Sequence, residues 1–172
     1  RSPEGAVVVR KLIERADVAV DNFLPAQRTA LCLGDVAGIN PHAIHCSIGG
    51  YDSDTPEAST PGYDLLAQAG GGLMAITGEP GGDPMKIGVA ISDVLTGLYG
   101  AISAIAGLVA LSREPTARAQ SFDLALTDCT LASLVNVAQA ALLTGQRPRR
   151  MGNAHPHIVP YEAFATSDGY MV

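Results

Sequence analysis

The spacing of apolar residues predicts alternating helices and strands in the first 50 residues. Apolar side chains recur at helical spacing over residues 8–13, with charged side chains between them. A short apolar run at 18–20 and an alternating run at 43–48 are typical of strands. Residues 26–33 predict a short helix between them, ended by Gly34. Helices and strands of these lengths, in this order, favour an α/β fold with a parallel sheet.

The remainder of the chain predicts mostly helices. One helix begins at residue 65 and contains three consecutive glycines, each of which weakens it by about 1 kcal/mol relative to alanine. These glycines indicate close helix packing or close approach of a ligand. The other predicted elements are a helix over 94–111, a helix over 127–143 closed by Gly145, and strands at 122–126, near Ala163 and at 170–172.

The helix predicted over 94–111 has 18 uncharged positions, which is long enough to span a membrane. Gly97, Gly100 and Gly107 would let a neighbouring backbone approach closely. A membrane span and a buried core helix both fit this pattern. The small residues favour the core helix, so we expect no membrane partner.

Amino-acid composition and net charge exclude some classes of protein and of binding partner. The chain has 172 residues, 47% of them hydrophobic and 16% charged, which excludes intrinsic disorder and fits one partial domain over residues 1–172. Lys and Arg number 11 against 17 Asp and Glu, so no basic surface for nucleic acid is expected. The sequence begins without Met, and we expect it to be an internal piece of a longer chain. Three scattered cysteines, Cys32, Cys46 and Cys129, favour a reducing, cytoplasmic location.

Asp93 is the first candidate for chemistry. An Asp directly before an apolar helix is typical of an N-cap, which accepts hydrogen bonds from the first turn. The same position also suits a nucleophile, because the positive end of the helix dipole keeps a carboxylate ionised. Both interpretations remain open from the residues alone.

Two further segments lie where ligands bind in α/β proteins. Asn22, Phe23 and Leu24 follow the first predicted strand, at its carboxyl end. The run 61–64, Pro-Gly-Tyr-Asp, is either a turn with a helix cap or a phenol and a carboxylate delivered to the glycine-rich region.

The sequence gives little support for a metal site, a nucleotide-binding motif or a hydrolase motif. His42 and His45 span a turn and a strand and need not share one face. His155 and His157 lie in a predicted loop without Cys or carboxylate partners at ligand spacing, so we expect no metal site. The phosphate-binding and hydrolase motifs GxGxxG, GxxxxGK[ST] and GxSxG are absent.

Four segments together resemble the family III CoA transferases, which include formyl-CoA transferase, carnitine CoA-transferase and alpha-methylacyl-CoA racemase. The segments are ADVAVDNFLP (16–25), INPHAIHCSIGGY (39–51), PGYDLLAQAGGGLMAITGEPGGDPMKIGVAISDVLTGLYGA (61–101) and GNAHPHIVPYEAF (152–164). The resemblance implies a Rossmann-like parallel sheet with flanking helices, namely the central part of the family's large domain. The N-terminal strand and the small domain would then lie outside this sequence, and the complete protein would form an interlocked homodimer.

The resemblance also implies the site. Asp93 matches the family's catalytic aspartate, which attacks an acyl-CoA thioester to give an aspartyl anhydride and then an aspartyl-CoA thioester. Asn22, Phe23 and Leu24 match residues that line the CoA channel, as do Pro61, Gly62, Tyr63 and Asp64. The substrates implied are acyl-CoA and a small carboxylic acid, with no metal. Glycines 70–72 would be candidate oxyanion donors.

Some positions differ from the family pattern. The family commonly has Arg-Pro-Gly after Asn-Phe and another Arg a few residues later, aimed at CoA phosphates. Here Leu24, Pro25 and Ala26 follow, and Ala30 takes the later position, with Arg28 as a candidate substitute.

The alternatives are a racemase and a non-catalytic remnant. The racemase branch has Gly-His-Asp where this chain has Gly-Tyr-Asp (62–64), and a phenol with a pKa near 10 is a poor base for an α-proton. We therefore favour CoA transfer.

Overall fold

The computed structural model describes residues 2–31 and 33–172, so Cys32 lies outside the described residues. Its centre is a sheet of three parallel strands in the order β1-β2-β3. The strands are β1 (Val18–Asp21), β2 (Ile44–Gly49) and β3 (Ser121–Ala125). The α/β fold with a parallel sheet and flanking helices is thereby confirmed.

The described residues form eight α-helices, and a short antiparallel hairpin follows them. The helices are α1 (Pro3–Ile13), α2 (Pro25–Ala30), α3 (Val36–Ile39), α4 (Asp64–Gly70), α5 (Leu73–Ile76), α6 (Ile91–Arg113), α7 (Leu126–Ser133) and α8 (Val135–Thr144). The hairpin pairs β4 (Phe164–Ala165) with β5 (Tyr170–Met171). Short 3-10 turns occupy Leu33–Asp35 and Pro56–Ser59.

Helices pack against both faces of the sheet. A buried cluster of Ile13, Leu33, Val36 and Ala43 joins α1 and α3 to one side. On the other side, α6 packs against β2 and β3 through its glycines. A Cβ on Gly107 would lie 2.6 Å from Cδ1 and 3.0 Å from Cγ1 of Ile44, which is fully buried, so glycine lets the helix come this close to the strand.

Two predicted helices are broken in the structure. The helix expected from residue 65 onwards divides into α4 and α5 at Gly71 and Gly72, because Gly72 adopts φ +87°. The helix expected over 127–143 divides into α7 and α8, which meet at 86°. Val135 begins α8 at φ +44°, a conformation that no sequence signal predicts for a β-branched residue. Gly145 ends α8 in the left-handed conformation, as predicted.

The prediction of a buried core helix is wrong for α6 within this chain. Only 17% of its most apolar 18-residue window is buried. Its buried positions, Ser92, Thr96, Gly100 and Gly107, form one stripe towards the sheet and α7. Residues such as Leu98 and Ile102 on other sides of α6 are exposed. Within the described residues α6 is the one helix long and apolar enough to cross a membrane, and α7 with α8 would qualify only as a single bent span.

Candidate active site

A cavity of about 720 Å³ opens at the carboxyl ends of the three parallel strands, where α/β proteins bind ligands. All eight residues selected from the sequence line it. They are Asn22, Phe23, Leu24, Pro61, Gly62, Tyr63, Asp64 and Asp93. Segments far apart in the chain therefore meet around one space, which is the arrangement that a shared binding site requires.

The turn after β1 is shaped by Asp21, the last residue of that strand. Its Oδ1 accepts a hydrogen bond from the Phe23 backbone N–H at 3.1 Å, which orients Asn22 and Phe23 towards the cavity. The side chain of Asp21 is only 1% exposed. Nε2 of His45 lies 2.7 Å from Asp21 Oδ2, and Arg28 Nε donates to Oδ1 at 3.3 Å. Burial of this carboxylate is thus offset by two cationic or polar partners.

Arg28 spans a row of polar residues across the sheet. The strand register places Ser47 opposite both Asp21 and Asp123. The guanidinium of Arg28 also bonds the Ser47 hydroxyl, and its Nη1 lies 4.0 Å from Oδ1 of Asp123. Among the described residues that line the cavity, Arg28 is the one basic side chain, and it is already tied to Asp21.

Gly50 and Gly62 bring the segment that carries Tyr63 against the end of β2. A Cβ built on either glycine would collide with the Cα of the other, so their backbones are in direct contact. The Thr127 backbone N–H and hydroxyl both donate to the Gly50 carbonyl at 3.2 Å. Gly50 is therefore fixed between the start of α7 and the 61–63 segment.

The N-cap interpretation of Asp93 is wrong. Helix α6 begins at Ile91, so Asp93 lies inside its first turn, and the N-cap residue Ala90 makes no side-chain capping bond. The carboxylate that accepts from this turn is Asp64, whose Oδ1 receives the Ser92 N–H at 2.9 Å. In one of the two interpretations of the sequence, Asp64 caps its own helix, α4. It instead stabilises the start of α6, and the hydrogen bonds of the described residues leave the Asp93 carboxylate free.

Gln68 completes this support beneath the cavity. The side chain is fully buried, and its amide donates to Asp64 Oδ2 at 2.7 Å and to the Val89 carbonyl at 3.3 Å. Its Oε1 accepts the Ile87 N–H at 2.8 Å. One side chain thereby fixes α4, the 87–89 segment and, through Asp64, the first turn of α6.

We expect Gln68→Met to lower the free energy of unfolding by about 2–3 kcal/mol, because it leaves buried polar partners unsatisfied. Chemical denaturation of the two proteins measures this change. Gln146→Met, at an exposed position, is the matched control and should change stability by less than about 0.5 kcal/mol. An equal effect of both substitutions would contradict this role of Gln68.

Ser92 and Thr130 anchor the same turn from behind. Both side chains are fully buried, and their hydroxyl oxygens lie 2.7 Å apart. Since Ser92 directly precedes Asp93, the backbone that carries the candidate nucleophile is held by α7 as well as by Asp64.

The electrostatic environment of Asp93 disfavours its charge. Partial burial raises the pKa of Asp93 above its ordinary value of 3.8, and the negative charge of Asp64 raises it further. The helix dipole acts in the opposite direction at this position. A carboxylate with a raised pKa in a cavity, without a bond that commits its oxygens, is typical of a functional group.

Glycines 70–72 do not line the cavity, which corrects their interpretation as oxyanion donors. They pack against α7 instead: a Cβ on Gly71 would lie 2.8 Å from Thr130 Cβ, and one on Gly72 would lie 3.2 Å from Leu134. Close helix packing accounts for this cluster. Within residues 2–31 and 33–172, no group of three or more His, Cys, Asp or Glu side chains is arranged to hold a metal ion.

Sequence reasoning missed the polar row beneath the cavity. Asp21, Ser47 and Asp123 lie on three strands, and only the strand register shows that they are neighbours. The available signal was that each stands within three residues of the carboxyl end of a predicted strand. His45 was set aside as a ligand, and the structure places it on Asp21.

The family model described as CoA-transferase family III matches residues 1–172. The chain belongs to CoA-transferase family III. The family resemblance of its sequence segments is thereby confirmed.

The chain is similar in sequence to CoA-transferases from a bacterium and from an animal. Succinate–glutarate CoA-transferase from Agrobacterium fabrum is 40% identical over 174 residues, which cover 100% of this chain and 43% of that protein. Succinyl-CoA:glutarate CoA-transferase from Homo sapiens is also 40% identical, over 100% of this chain and 39% of that protein. The chain thus spans about two-fifths of the length of these family members.

A solved crystal structure has the same fold as this chain. The crystal structure of a CAIB/BAIF family protein from Brucella suis superposes with a TM-score of 0.86 at 42% identity. The match covers 99% of this chain and 45% of that one.

Proposed function

We propose that the polypeptide containing this sequence transfers CoA between an acyl-CoA thioester and a carboxylic acid, with Asp93 as the nucleophile. The observation that carries the proposal is the free Asp93 carboxylate in a cavity at the carboxyl ends of parallel strands. Family membership and the CoA-transferase names of relatives 40% identical to the chain support it.

The chemistry requires only carboxylates and a thiolate. Asp93 attacks the thioester carbonyl, the C–S bond breaks, and CoA leaves as its thiolate, which gives an aspartyl–acyl anhydride. The thiolate attacks the aspartyl carbonyl, which releases the first carboxylate and forms an aspartyl-CoA thioester. The acceptor carboxylate repeats these two steps in reverse order, and free Asp93 and the new acyl-CoA result. Splitting the transfer into such steps lowers each barrier.

This sequence of steps fits the residues around Asp93. No net proton moves, so no general base is required, and the lining described here offers carboxylates and the phenols of Tyr51 and Tyr63 rather than histidine. Tyr63 lines the cavity and is exposed, and its hydroxyl is a donor that can contact the reacting oxygen. Tyr63 also stands where a racemase would have histidine, which supports transfer over racemisation.

The other lining residues are proposed to contact CoA. They are Asn22, Phe23 and Leu24 after β1, and Pro61, Gly62 and Tyr63 before α4. Asp64 lines the same cavity, but both its oxygens accept bonds from Ser92 and Gln68, so we assign it to positioning α6 as well.

The raised pKa of Asp93 predicts the acid side of the pH profile. Since the ionised form reacts, kcat/KM should fall as the pH decreases through a pKa that lies above 3.8. Asp64→Asn removes the neighbouring negative charge, which lowers the pKa of Asp93 and moves this fall to lower pH. The pH dependence of kcat/KM in the two proteins tests the shift, and Asp83→Asn, at an exposed position, is the control. An unmoved acid limb in Asp64→Asn would contradict the coupling.

Exchange between two acids tests the proposed function. The complete polypeptide is incubated with succinyl-CoA and glutarate, and the formation of glutaryl-CoA is followed by chromatography. We expect exchange. The same incubation is repeated in deuterated water. Incorporation of deuterium at the acyl α-carbon without transfer of CoA to glutarate would replace the proposal with a racemase. Absence of both reactions, together with no heat of CoA binding in calorimetry, would support a non-catalytic remnant and reject the proposal.

The cytoplasmic location and the homodimer of the complete protein stay predictions. The same holds for the single-domain boundaries over residues 1–172.

A further inference from the structure

Three glycines lie inside α6, and two of them, Gly107 and Gly100, face the sheet. Gly107 lets the helix approach Ile44, as described above. At Gly100, a Cβ would lie 3.4 Å from Leu124, and the thiol of Cys46 is 3.8 Å from the Gly100 carbonyl. At Gly97, a Cβ would meet nothing within 4 Å. Packing of the described chain therefore gives no reason for a glycine at Gly97.

A glycine in a helix interior lowers stability by roughly 0.5–1 kcal/mol relative to alanine. Gly97 lies well inside the 23-residue helix α6, and its φ is not in the left-handed region. Neither helix termination nor backbone conformation requires glycine there. The cost to stability is thus not offset by anything in the fold.

Gly97 lies beside the candidate nucleophile. It follows Asp93 by four residues, so the two share a face of the helix, with their β-positions roughly 6 Å apart. Both residues line the cavity. The space that a side chain at Gly97 would fill is therefore cavity space next to the reacting carboxylate.

We propose that Gly97 sets the size of the acyl group that this site accepts. The inference rests on the proposed function, in which an acyl carbonyl must reach the Asp93 carboxylate. The atoms attached to that carbonyl then extend over a short distance along the cavity wall. The missing side chain at Gly97 provides room for them beside the first turns of α6.

The residue acts by steric exclusion, which gives a graded expectation. Alanine removes little of the space, valine more, and leucine most. A substrate with a long acyl group loses affinity as the side chain grows, whereas free CoA, which has no acyl group, does not. Since one methylene in a pocket changes selectivity about tenfold or more, leucine should discriminate clearly.

Calorimetric binding tests the inference without depending on turnover. Glutaryl-CoA, malonyl-CoA and CoA are titrated into the complete polypeptide and into its Gly97→Ala, Gly97→Val and Gly97→Leu variants. We expect Gly97→Leu to weaken glutaryl-CoA by about tenfold or more, malonyl-CoA by less, and CoA by no more than about twofold. Gly97→Ala should retain binding and raise the melting temperature, because it improves the helix.

Ala101→Leu is the matched control, since Ala101 lies one turn further along α6, is exposed and is outside the cavity lining. It should leave all three affinities unchanged. Equal weakening of CoA and glutaryl-CoA in Gly97→Leu, or no weakening of either, would overturn the inference. Failure of the unsubstituted protein to exchange CoA, with size-dependent binding intact, would reject the proposed reaction and retain the role of Gly97.

Discussion

Replacement of Asp93 by asparagine should reduce CoA exchange by about 10⁴-fold or more while the protein stays folded. The amide has the size of the carboxyl group but cannot form the anhydride, so the covalent route is lost. Rates of glutaryl-CoA formation from succinyl-CoA and glutarate measure the change. Asp83→Asn, at an exposed position outside the cavity lining, is the control and should retain full activity.

Stability distinguishes this loss from damage to the fold. The pKa of Asp93 is raised in the folded chain, so at neutral pH ionisation of Asp93 opposes folding. Asp93→Asn removes that charge, and we expect its melting temperature at neutral pH to equal or exceed that of the unsubstituted protein. The difference should shrink as the pH falls through the folded-state pKa of Asp93 and vanish below the ordinary value of 3.8, where the carboxyl group is neutral in the folded and the unfolded chain. A lower melting temperature at neutral pH would show that the charge serves the helix instead.

Substitution of Gly50 by alanine should have the second-largest effect. Its Cβ would collide with the backbone at Gly62, where no flexible side chain can yield. We expect a loss of about 3 kcal/mol in the free energy of unfolding, at the upper end for overpacking. Displacement of Tyr63 by about 1 Å should also lower kcat/KM about 100-fold.

Gly169→Ala is the control for this substitution, because a Cβ there meets nothing within 4 Å. Denaturation curves and exchange rates should match those of the unsubstituted protein. If Gly50→Ala behaves like Gly169→Ala, the contact between the two backbones does not position the 61–63 segment.

Local patterns in the sequence predicted most of the elements. Apolar runs located β1, β2, β3 and α6 within a few residues, because burial against a sheet leaves a periodic trace in the chain. Breaks within helices were harder to predict from the sequence. The glycines at 71–72 weakened the predicted helix, but the sharp bend before Val135 depends on how α7 packs, and no residue there signals it.

In the candidate site, too, local sequence predicted the positions of residues but not their tertiary contacts. The motifs selected eight residues that all line the cavity, but the partners of those residues depend on tertiary contacts. Asp64 and Ser92 are 28 positions apart, and only the structure shows that Asp64, rather than Asp93, accepts from the first turn of α6. The burial of α6 within this chain was predicted wrongly. An apolar sequence indicates that a helix favours burial, but it does not indicate which other segment packs against that helix.

Chemical trapping tests the central claim most directly. The complete polypeptide is incubated with succinyl-CoA, treated with hydroxylamine or borohydride, digested and analysed by mass spectrometry. The account predicts a hydroxamate or an alcohol at Asp93, formed from its anhydride or thioester, in the peptide that contains Ser92 and Val94. Exchange that proceeds at full rate with modification at another carboxylate, or with none at Asp93, would contradict it.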